Sequence, residues 1–285
     1  MRNLNPSQPP KPTFPQISLR LFLVVPFIIQ IFVAVGVTGY LSFRHGQKAV
    51  NNLANQLQSQ VNDRIMERLK NYLAIPPLIN QININATQAG RINLPEQMRL
   101  ERYLWQQMET FPSVYSIYVG SQKGSIIGIN RDNDGNLISK ISEDFPKRSF
   151  YLLNSQGNRS KLVRVQPNYD SRTRPWFIKA KAKKKPIWSD IYQFAFDKDE
   201  PMLGITAAQP IYNEEERFQG VYAVDLSLSF ISEFLHKLRL SPSSRILIIE
   251  RSGLLVAGSS VQKPFTVDAK TKEIQRLNIN NINDD

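Results

Sequence analysis

The sequence contains no cysteine and only two histidines, His45 and His236. The lack of cysteine excludes disulfide bonds, thiolate catalysis and zinc sites built on sulfur. The two histidines lie far apart in the sequence, so we expect neither a histidine-rich metal centre nor a phosphorelay within the chain. The sequence therefore predicts no metal site and no cofactor.

Motifs that mark common catalytic sites are absent as well. The chain has no G-x-G-x-x-G or G-x-x-x-x-G-K-[ST] phosphate-binding motif and no G-x-S-x-G nucleophile motif. No constellation of residues supports a hydrolase, and we assign no catalytic residue. The expectation is a binding protein rather than an enzyme.

Acidic residues are scarce relative to basic ones. The chain has 36 Lys and Arg against 24 Asp and Glu, which gives a net charge of +12. In a free cytosolic protein this balance would suit nucleic acid or an anionic lipid surface. The densest basic stretch is SRTRPWFIKAKAKKK (171–185), which has seven cations and no acid. We expect its last part, KAKAKKK (179–185), to be the solvated face of a helix.

One long hydrophobic run lies near the N-terminus. Residues 21–43, LFLVVPFIIQIFVAVGVTGYLSF, carry no charge and are flanked by Arg20 and Arg44. As a helix they cover about 34 Å, which is enough to span a hydrocarbon core of about 30 Å. The run is longer than the apolar region of a cleaved signal peptide, and VTGYLSF at its end is a poor cleavage site. We therefore predict a transmembrane helix that stays attached to the protein.

The basic residues around this helix predict its orientation. The tail, residues 1–20, carries Arg2, Lys11 and Arg20 without any acid and is rich in proline. We expect this tail to be disordered and, by the positive-inside rule, cytoplasmic. Residues 44–285 of the single-pass protein then lie outside the cytoplasm. The lipid bilayer is an expected partner, whereas nucleic acid is not, because a basic stretch on that side meets no genome.

Two amphipathic helices are expected after the membrane span. Apolar residues recur every three or four positions from Val50 to Leu73, which predicts a stalk helix of about 28 residues continuing from the span. The stretch 75–95, IPPLINQININATQAGRINLP, is expected to break this helix because of its prolines. A second amphipathic helix is predicted over 95–111, with Pro95 near its start.

The pattern then changes to the two-residue period of β-strands. Strands are predicted over 114–119, 124–130, 136–141, 148–154, 161–165, 202–212 and 218–227. A helix is predicted over 228–238 and a further hairpin over 245–259. The order of a long helix, a meander, a helix and a hairpin indicates an α+β fold with an antiparallel sheet.

A group of polar and aromatic residues in this region could form a binding pocket. The group consists of Tyr169, Arg174, Trp176, Tyr192 and Asp225. The planar guanidinium of arginine matches a carboxylate, and tryptophan and tyrosine supply apolar walls with a polar edge. Asp225 ends an apolar strand, where a carboxylate needs a partner such as a ligand ammonium. Arg174 and Asp225 together have the polarity that would suit an α-amino acid.

The same residues also have purely structural interpretations. Asp225 could cap the helix that starts near Leu228. Arg174 could pair with Asp225 or Asp170, and Trp176 could belong to the core. Taken singly, none of these residues establishes a ligand site.

Several longer segments resemble the double Cache domains of membrane receptors. Segments similar to the ligand-binding lobe of that family are YDSRTRPWF (169–177), PIWSDIY (186–192), ITAAQPIY (205–212) and GVYAVDLSLSFISEFL (220–235). RILIIERSGLLVAGS (245–259) resembles the opening of the membrane-proximal lobe. The anchor and the long helix also fit the family, and the similarity covers roughly residues 40–270.

The resemblance implies a signal-transduction receptor with PAS-like antiparallel-sheet lobes carried on the transmembrane and stalk helices. On this basis residues 44–240 form the stalk helix and the membrane-distal lobe, which binds a small metabolite. Residues 241–285 form part of a membrane-proximal lobe. The family also implies the bacterial inner membrane as the location and a second copy of the chain as a partner through the stalk helix.

The resemblance further implies roles for the candidate pocket residues. Amino-acid-binding members use a Tyr, an Arg-x-Trp-Tyr element, a further Tyr and an Asp, and Tyr169, Arg174, Trp176, Tyr192 and Asp225 match these in type and order. In that subgroup the Arg, the Trp and the second Tyr face the ligand carboxylate. The Asp and the first Tyr face the ligand ammonium.

Phe177 departs from the pattern, because the amino-acid binders usually have tyrosine at that position. The lost hydroxyl is expected to weaken ammonium recognition or to change the ligand class. Phe177 stays in the predicted site as a lining residue. The expected ligand is an amino acid or a related amine or carboxylate.

A second departure concerns the end of the sequence. Family members normally complete the proximal lobe, cross the membrane again and continue into an output module, whereas no second apolar span precedes Asp285. The proximal lobe is expected to be truncated. The chain could be a fragment of a sensor histidine kinase, a nucleotide cyclase or a chemoreceptor whose output domain is missing, or a degenerate anchor that binds nothing.

Overall fold

The computed structural model describes residues 19–132, 134–194, 202–238, 244–259, 264–268 and 274–281. The chain divides into two compact units, Met1–Asp63 and Arg64–Asp285. The tail predicted to be disordered, residues 1–20, lies almost entirely outside the described residues.

The first unit contains the apolar part of helix α1 (Leu19–Gln88). Large apolar side chains in this part are exposed, for example Phe32 at 74% and Phe27 at 67%. Among the described residues, α1 is the one helix whose length and composition would allow it to cross a membrane, with a mean hydropathy of 2.1 in its most apolar window. The hydrophobic run is therefore helical, as the sequence predicts.

The predicted break of the stalk helix over 75–95 was wrong, because α1 continues through two consecutive prolines, 76 and 77, to Gln88. Proline removes a backbone donor and disturbs the preceding turn, which favours a break. Tertiary contacts outweigh this preference here, as they do for most helices in proteins. Ile79 is fully buried, and the Asn80 side chain donates a hydrogen bond of 2.9 Å to the Ala207 carbonyl in the sheet.

The remaining elements follow the predicted order. They are α2 (Gln97–Thr110), β1 (Ser116–Ser121), β2 (Ile126–Arg131), β3 (Leu137–Ile141), β4 (Arg148–Leu153), β5 (Arg159–Gln166), α3 (Pro175–Lys183), β6 (Ile187–Trp188), β7 (Tyr192–Gln193), β8 (Leu203–Tyr212), β9 (Phe218–Ser227), α4 (Leu228–Lys237), β10 (Leu247–Ile249), β11 (Leu255–Gly258), β12 (Phe265–Val267) and β13 (Ile274–Arg276). The sequence missed the two-residue strands β6 and β7 and the strands β12 and β13.

Strands β1 to β9 form one antiparallel sheet, which confirms the predicted α+β class. The strand order is β5-β4-β3-β2-β1-β9-β8-β6, and β7 also pairs with β8. The meander β1–β5 is thus extended on its β1 side by the β8–β9 hairpin. This arrangement places β9, which carries Asp225, directly beside β1, with Asp225 opposite Ser116.

The two faces of this sheet differ in chemistry because successive side chains of a strand point to opposite faces. One face is apolar and packs against α2, which buries Leu100, Leu104 and Met108. The other face carries buried polar and charged residues on neighbouring strands, including Ser116, Asn130, Lys140, Arg148 and Asp225. A polar face that is nevertheless buried marks the place to look for a site.

The last described strands form two further small sheets. β10 pairs with β11, as the hairpin predicted over 245–259 requires, and β12 pairs with β13. Helix α4 packs against β11, and His236 Nδ1 lies 3.0 Å from the Ser259 carbonyl oxygen. His236 therefore has a structural partner near the end of α4.

Candidate functional site

A small cavity lies over the polar face of the sheet. Five of the six residues predicted to bind the ligand line it, and they are Tyr169, Arg174, Trp176, Tyr192 and Asp225. The cavity has a volume of about 30 Å³. One water needs roughly 10–15 Å³ on this scale, so the cavity takes a few waters as it stands. A larger ligand enters only if side chains in the wall move.

Asp225 is buried and held by hydrogen bonds from two hydroxyl groups. Tyr118 donates to Asp225 Oδ1 at 2.8 Å, and Thr206 donates to the same oxygen at 2.6 Å. Burial raises the pKa of Asp225 above its ordinary value, while the nearby positive charge of Lys140 opposes this rise. Both hydroxyl donors reach Oδ1, which leaves Oδ2 as the oxygen that could accept from a ligand.

These contacts decide between the interpretations of Asp225 that the sequence left open. The N-cap of α4 is Ser227, whose side chain accepts a hydrogen bond from the Ser229 amide at 3.1 Å. Asp225 therefore does not cap this helix. Its carboxylate points into the polar face of the sheet instead, beside the cavity.

Tyr192 belongs to the same hydrogen-bond chain. Its hydroxyl lies 2.7 Å from Thr206 Oγ1. Because the Thr206 hydrogen is directed to Asp225, the Tyr192 hydroxyl is the donor to Thr206. Burial raises the pKa of Tyr192 well above its ordinary value, and the nearby charge of Asp225 raises it further. Tyr192 thus stays neutral at physiological pH, with its hydroxyl hydrogen directed to Thr206.

Arg174 stands at the start of α3, where Pro175 occupies the first helical turn. Proline is well suited to that position because its ring fixes a helical backbone angle and no amide hydrogen is needed there. Arg174 Nη2 donates to the Gln193 carbonyl at 3.3 Å, and its guanidinium lies 5.7 Å from the ring centre of Tyr192. Asp170, which the sequence offered as a partner of Arg174, pairs with Arg172 at 2.6 Å instead.

Trp176 serves the core and the cavity wall at once. Its ring is only 1% exposed and meets the Tyr118 ring edge-on at 5.1 Å. A side chain at position 120 of β1 would collide with this ring, since a Cβ there would lie 2.6 Å from Trp176 Cη2. Gly120 therefore makes room for the indole above the sheet.

Phe177, the sixth predicted residue, lies outside the cavity wall. Its ring packs edge-on against Trp176 at 5.4 Å and against Phe218 at 5.7 Å. It belongs to the buried apolar cluster behind Trp176.

Tyr169 closes the side of the cavity nearest to β4. Its amide donates to the Pro146 carbonyl at 2.8 Å, and its ring lies beneath the Arg148 guanidinium at 3.7 Å. Burial raises the pKa of Tyr169, and the charges of Arg148 and Arg174 oppose the rise. Tyr169 is therefore a neutral hydroxyl held between two cationic groups.

The cavity also contains residues that the sequence analysis did not find, notably Tyr118, Asn130, Lys140 and Arg148. They come from β1 to β4, whose two-residue period predicts strands without showing which side chains of neighbouring strands lie together. Asn130 and Lys140 each interrupt an apolar strand with a polar side chain. That interruption is the signal in the sequence that could have identified them.

The basic run 179–185 lies beside the site without lining it. Lys181, Lys183, Lys184 and Lys185 are exposed, and Lys179 pairs with Asp190 at 3.2 Å. This confirms the prediction of a solvated face. Within the described residues, no cluster of three or more His, Cys, Asp or Glu could hold a metal ion.

The Cache domain family model, dCache_1, matches residues 46–284 of the chain. The chain therefore belongs to the double Cache family, whose domains are sensory and non-catalytic parts of receptors. No curated protein sequence matches the chain.

The fold is shared with one solved structure at a TM-score above 0.5, and further structures are similar at lower scores. A methyl-accepting chemotaxis protein X has 13% identity and a TM-score of 0.52, with 73% of this chain and 75% of that chain covered. The ligand-binding domain of the Pseudomonas aeruginosa PAO1 amino acid chemoreceptor PctC, in complex with GABA, has 15% identity and a TM-score of 0.46 over 71% and 73%. The corresponding domain of the Campylobacter jejuni chemoreceptor Tlp3, in complex with L-valine, has 14% identity and a TM-score of 0.44 over 71% and 72%. At such identities the likeness concerns the fold alone.

Proposed function

We propose that this chain is the ligand-sensing part of a membrane receptor and that it binds an α-amino acid in the cavity over the polar face of the sheet. The proposal is carried by one observation: Arg174 and Asp225, which are far apart in sequence, line the same cavity. A buried acid and a half-buried base that form no ion pair with each other are well placed for the two ends of a zwitterion.

The roles of the wall residues follow from their donors and acceptors. Arg174 and the indole N–H of Trp176 donate hydrogen bonds, so they would hold the carboxylate, and the Tyr192 hydroxyl would join them by turning its hydrogen from Thr206 to the ligand. Asp225 Oδ2 accepts, so it would hold the ammonium together with the Tyr169 hydroxyl. This assignment agrees with the roles that the resemblance to amino-acid-binding Cache domains implies.

The position of Phe177 bears on the ligand class. Because Phe177 packs behind Trp176 rather than on the cavity wall, its missing hydroxyl takes nothing from the wall of this pocket. Ammonium recognition then rests on Asp225 and Tyr169. An α-amino acid therefore remains the proposed ligand, in preference to a simple amine or a simple carboxylate.

Helix α1 would anchor this sensor in the bacterial inner membrane. The exposed apolar stretch 21–43 supports a single span, and the basic tail before it supports a cytoplasmic N-terminus. Residues 44–285 would then lie outside the cytoplasm. A second copy of the chain would pack along the stalk, because Val50, Leu53 and Leu57 expose 66%, 59% and 45% of their surface in the single chain.

A thermal-shift measurement on the full chain in detergent tests the proposed ligand class. At a concentration of about 100 times its Kd, a ligand should stabilise the fold by about 2.7 kcal/mol, a rise in Tm of several degrees. We expect such a rise with at least one of the twenty common amino acids. It should disappear in Arg174→Met and in Asp225→Asn, whereas Arg99→Met, on the exposed surface of α2, should retain it.

The contradicting results are equally specific. A folded wild type that no amino acid stabilises would reject amino-acid binding. A rise that survives both cavity substitutions would place the ligand elsewhere. A rise with amines alone or carboxylates alone would keep a sensor but reject the zwitterion.

A further inference from the structure

The cavity carries charged and polar groups beyond those that an ordinary α-amino acid would engage. Lys140 on β3, Arg148 on β4 and Asn130 on β2 all line it. They share the polar face of the sheet with Asp225. Their environments indicate what the remainder of the ligand must be.

Lys140 is a buried basic residue that lines the cavity. Its Nζ donates to Ser116 Oγ at 2.6 Å and lies 3.8 Å from the ring centre of Tyr118. This path is open because Gly128, which pairs with both Tyr118 and Lys140, has no side chain between them. A Cβ at position 128 would lie 2.1 Å from Tyr118 Cβ.

The surroundings of Lys140 disfavour its charged form. Burial, together with the nearby charges of Arg148 and Arg174, lowers its pKa to about 7, although the charge of Asp225 opposes the shift. A buried ammonium is stable only when an anion or several acceptors face it. The charge of Asp225 is near both Lys140 and Arg174. A second anion in the cavity would therefore stabilise the charged form of Lys140.

Asn130 supplies a second and independent observation. Its side chain is 1% exposed, and neither Oδ1 nor Nδ2 has a hydrogen-bond partner among the described residues. Buried amides are almost always satisfied, so an amide that faces a cavity with both atoms unused is expected to meet a ligand. Asn130 pairs with Ser116 across the β1–β2 ladder, and Ser116 is the hydrogen-bond partner of Lys140. The amide and the ammonium therefore serve the same part of the cavity.

The charges of the cavity wall do not balance. Among its residues, Lys140, Arg148 and Arg174 are basic, whereas Asp225 is the one acid. A neutral amino acid would engage Arg174 and Asp225 and would bring no anion to Lys140, whose charge Arg148 disfavours. A ligand with a second carboxylate would reduce this excess of positive charge.

We propose that the cavity selects an acidic amino acid, of the aspartate or glutamate class, whose side-chain carboxylate is bound by Lys140, Arg148 and the Asn130 amide. This inference rests on the proposed function, since it assigns the main-chain groups of the ligand to Arg174 and Asp225. Arg148 is held in place for the task, because its Nη2 donates to Gln166 at 2.5 Å and its guanidinium stacks on Tyr169.

Calorimetric titration of the full chain in detergent tests the inference with matched ligand pairs. L-aspartate and L-glutamate are compared with their amides L-asparagine and L-glutamine, which have nearly the same shape, and with succinate, which lacks the ammonium. We expect one of the acidic amino acids to bind at least ten-fold more tightly than its amide and than succinate. The preference over the amide should collapse in Lys140→Met and persist in Lys161→Met, on the exposed strand β5.

A second variant tests the same prediction if Lys140→Met fails to fold. Asn130→Asp keeps the shape of the side chain and adds a like charge, so it should weaken binding of the acidic ligand while sparing its amide.

Four results would overturn the inference. If an amide binds as tightly as its acid, the acidic assignment is wrong, although binding that still depends on Arg174 and Asp225 would preserve the proposed function. Succinate binding as tightly as aspartate would show that no ammonium is recognised. An unchanged preference in a folded Lys140→Met variant, or in Asn130→Asp, would remove the role given to these residues. Binding of no amino acid at all would reject the proposed function together with this inference.

Discussion

Among single residues, Lys140 is the one whose charge should make ligand affinity depend on pH. Burial lowers its pKa to about 7, so its charge changes within the physiological range. An anionic ligand favours the protonated form, and binding therefore takes up a proton above the pKa. We expect affinity for an acidic amino acid to fall as the pH rises from about 6 to about 8.5. Below about pH 6 this contribution should level off, because Lys140 is already charged.

The other titratable groups that face Lys140 are Asp225, Arg148, Arg174 and Tyr118. Burial raises the pKa of Tyr118 well above its ordinary value and lowers that of Arg148 to about 10. Both groups therefore keep one charge state over most of this range. Calorimetry at several pH values should show the fall in wild type and a flatter profile in Lys140→Met. Equal slopes in the two proteins would assign the pH dependence to another group.

The sequence could predict some of the site residues and not others. Arg174, Trp176 and Tyr192 lie within a short segment whose composition is unusual, and Asp225 interrupts an apolar strand. Asn130 and Lys140 also interrupt strands, but their meeting depends on the pairing of β1 with β2 and of β2 with β3. Register between strands is set by the whole sheet and is not visible in any one segment. Phe177 was predicted as a lining residue and does not line the cavity. Its place behind Trp176 depends on how α3 rotates over the sheet, which the sequence does not show.

Among the secondary-structure elements, α1 shows how tertiary contacts override a local signal. The prolines at 76 and 77 argue for a break, yet the helix continues because its second half is fixed to the sheet. The contact of Asn80 with the Ala207 carbonyl is one such tie. The strands of the meander, in contrast, were predictable because their period of two is carried by many residues and survives the loss of any one.

This tie can be tested by substitution. Asn80→Ala removes a buried donor and leaves the Ala207 carbonyl without this partner, so we expect the free energy of unfolding to fall by about 1–3 kcal/mol. Asn71→Ala, at an exposed position of the same helix, is the matched control and should change stability by no more than about 0.5 kcal/mol. Denaturant unfolding of the two variants measures the difference. Equal losses would mean that helix propensity, not the contact with the sheet, is responsible.

For the whole molecule, the absence of cysteine allows single introduced thiols to report on membrane orientation and on the pairing of two copies of the chain. Leu53→Cys introduces a single thiol on the apolar stripe of the stalk, and Asn55→Cys places one on the opposite side of the same helix. In intact cells both should react with a membrane-impermeant maleimide, because residues 44–285 are proposed to lie outside the cytoplasm. Under oxidation, Leu53→Cys should form a disulfide-linked dimer, whereas Asn55→Cys should remain largely monomeric.

Protection of both thiols from the reagent would reverse the proposed orientation. Equal cross-linking of the two variants would contradict pairing through the apolar stripe.

The central claim is that one cavity holds both ends of an α-amino acid, and equilibrium dialysis tests it most directly. The full chain in detergent is dialysed against a mixture of radiolabelled amino acids, in parallel with the double variant Arg174→Met/Asp225→Asn. The account predicts that wild type retains close to one equivalent of label and that the folded double variant retains none. Retention by both proteins, or by neither, would contradict it.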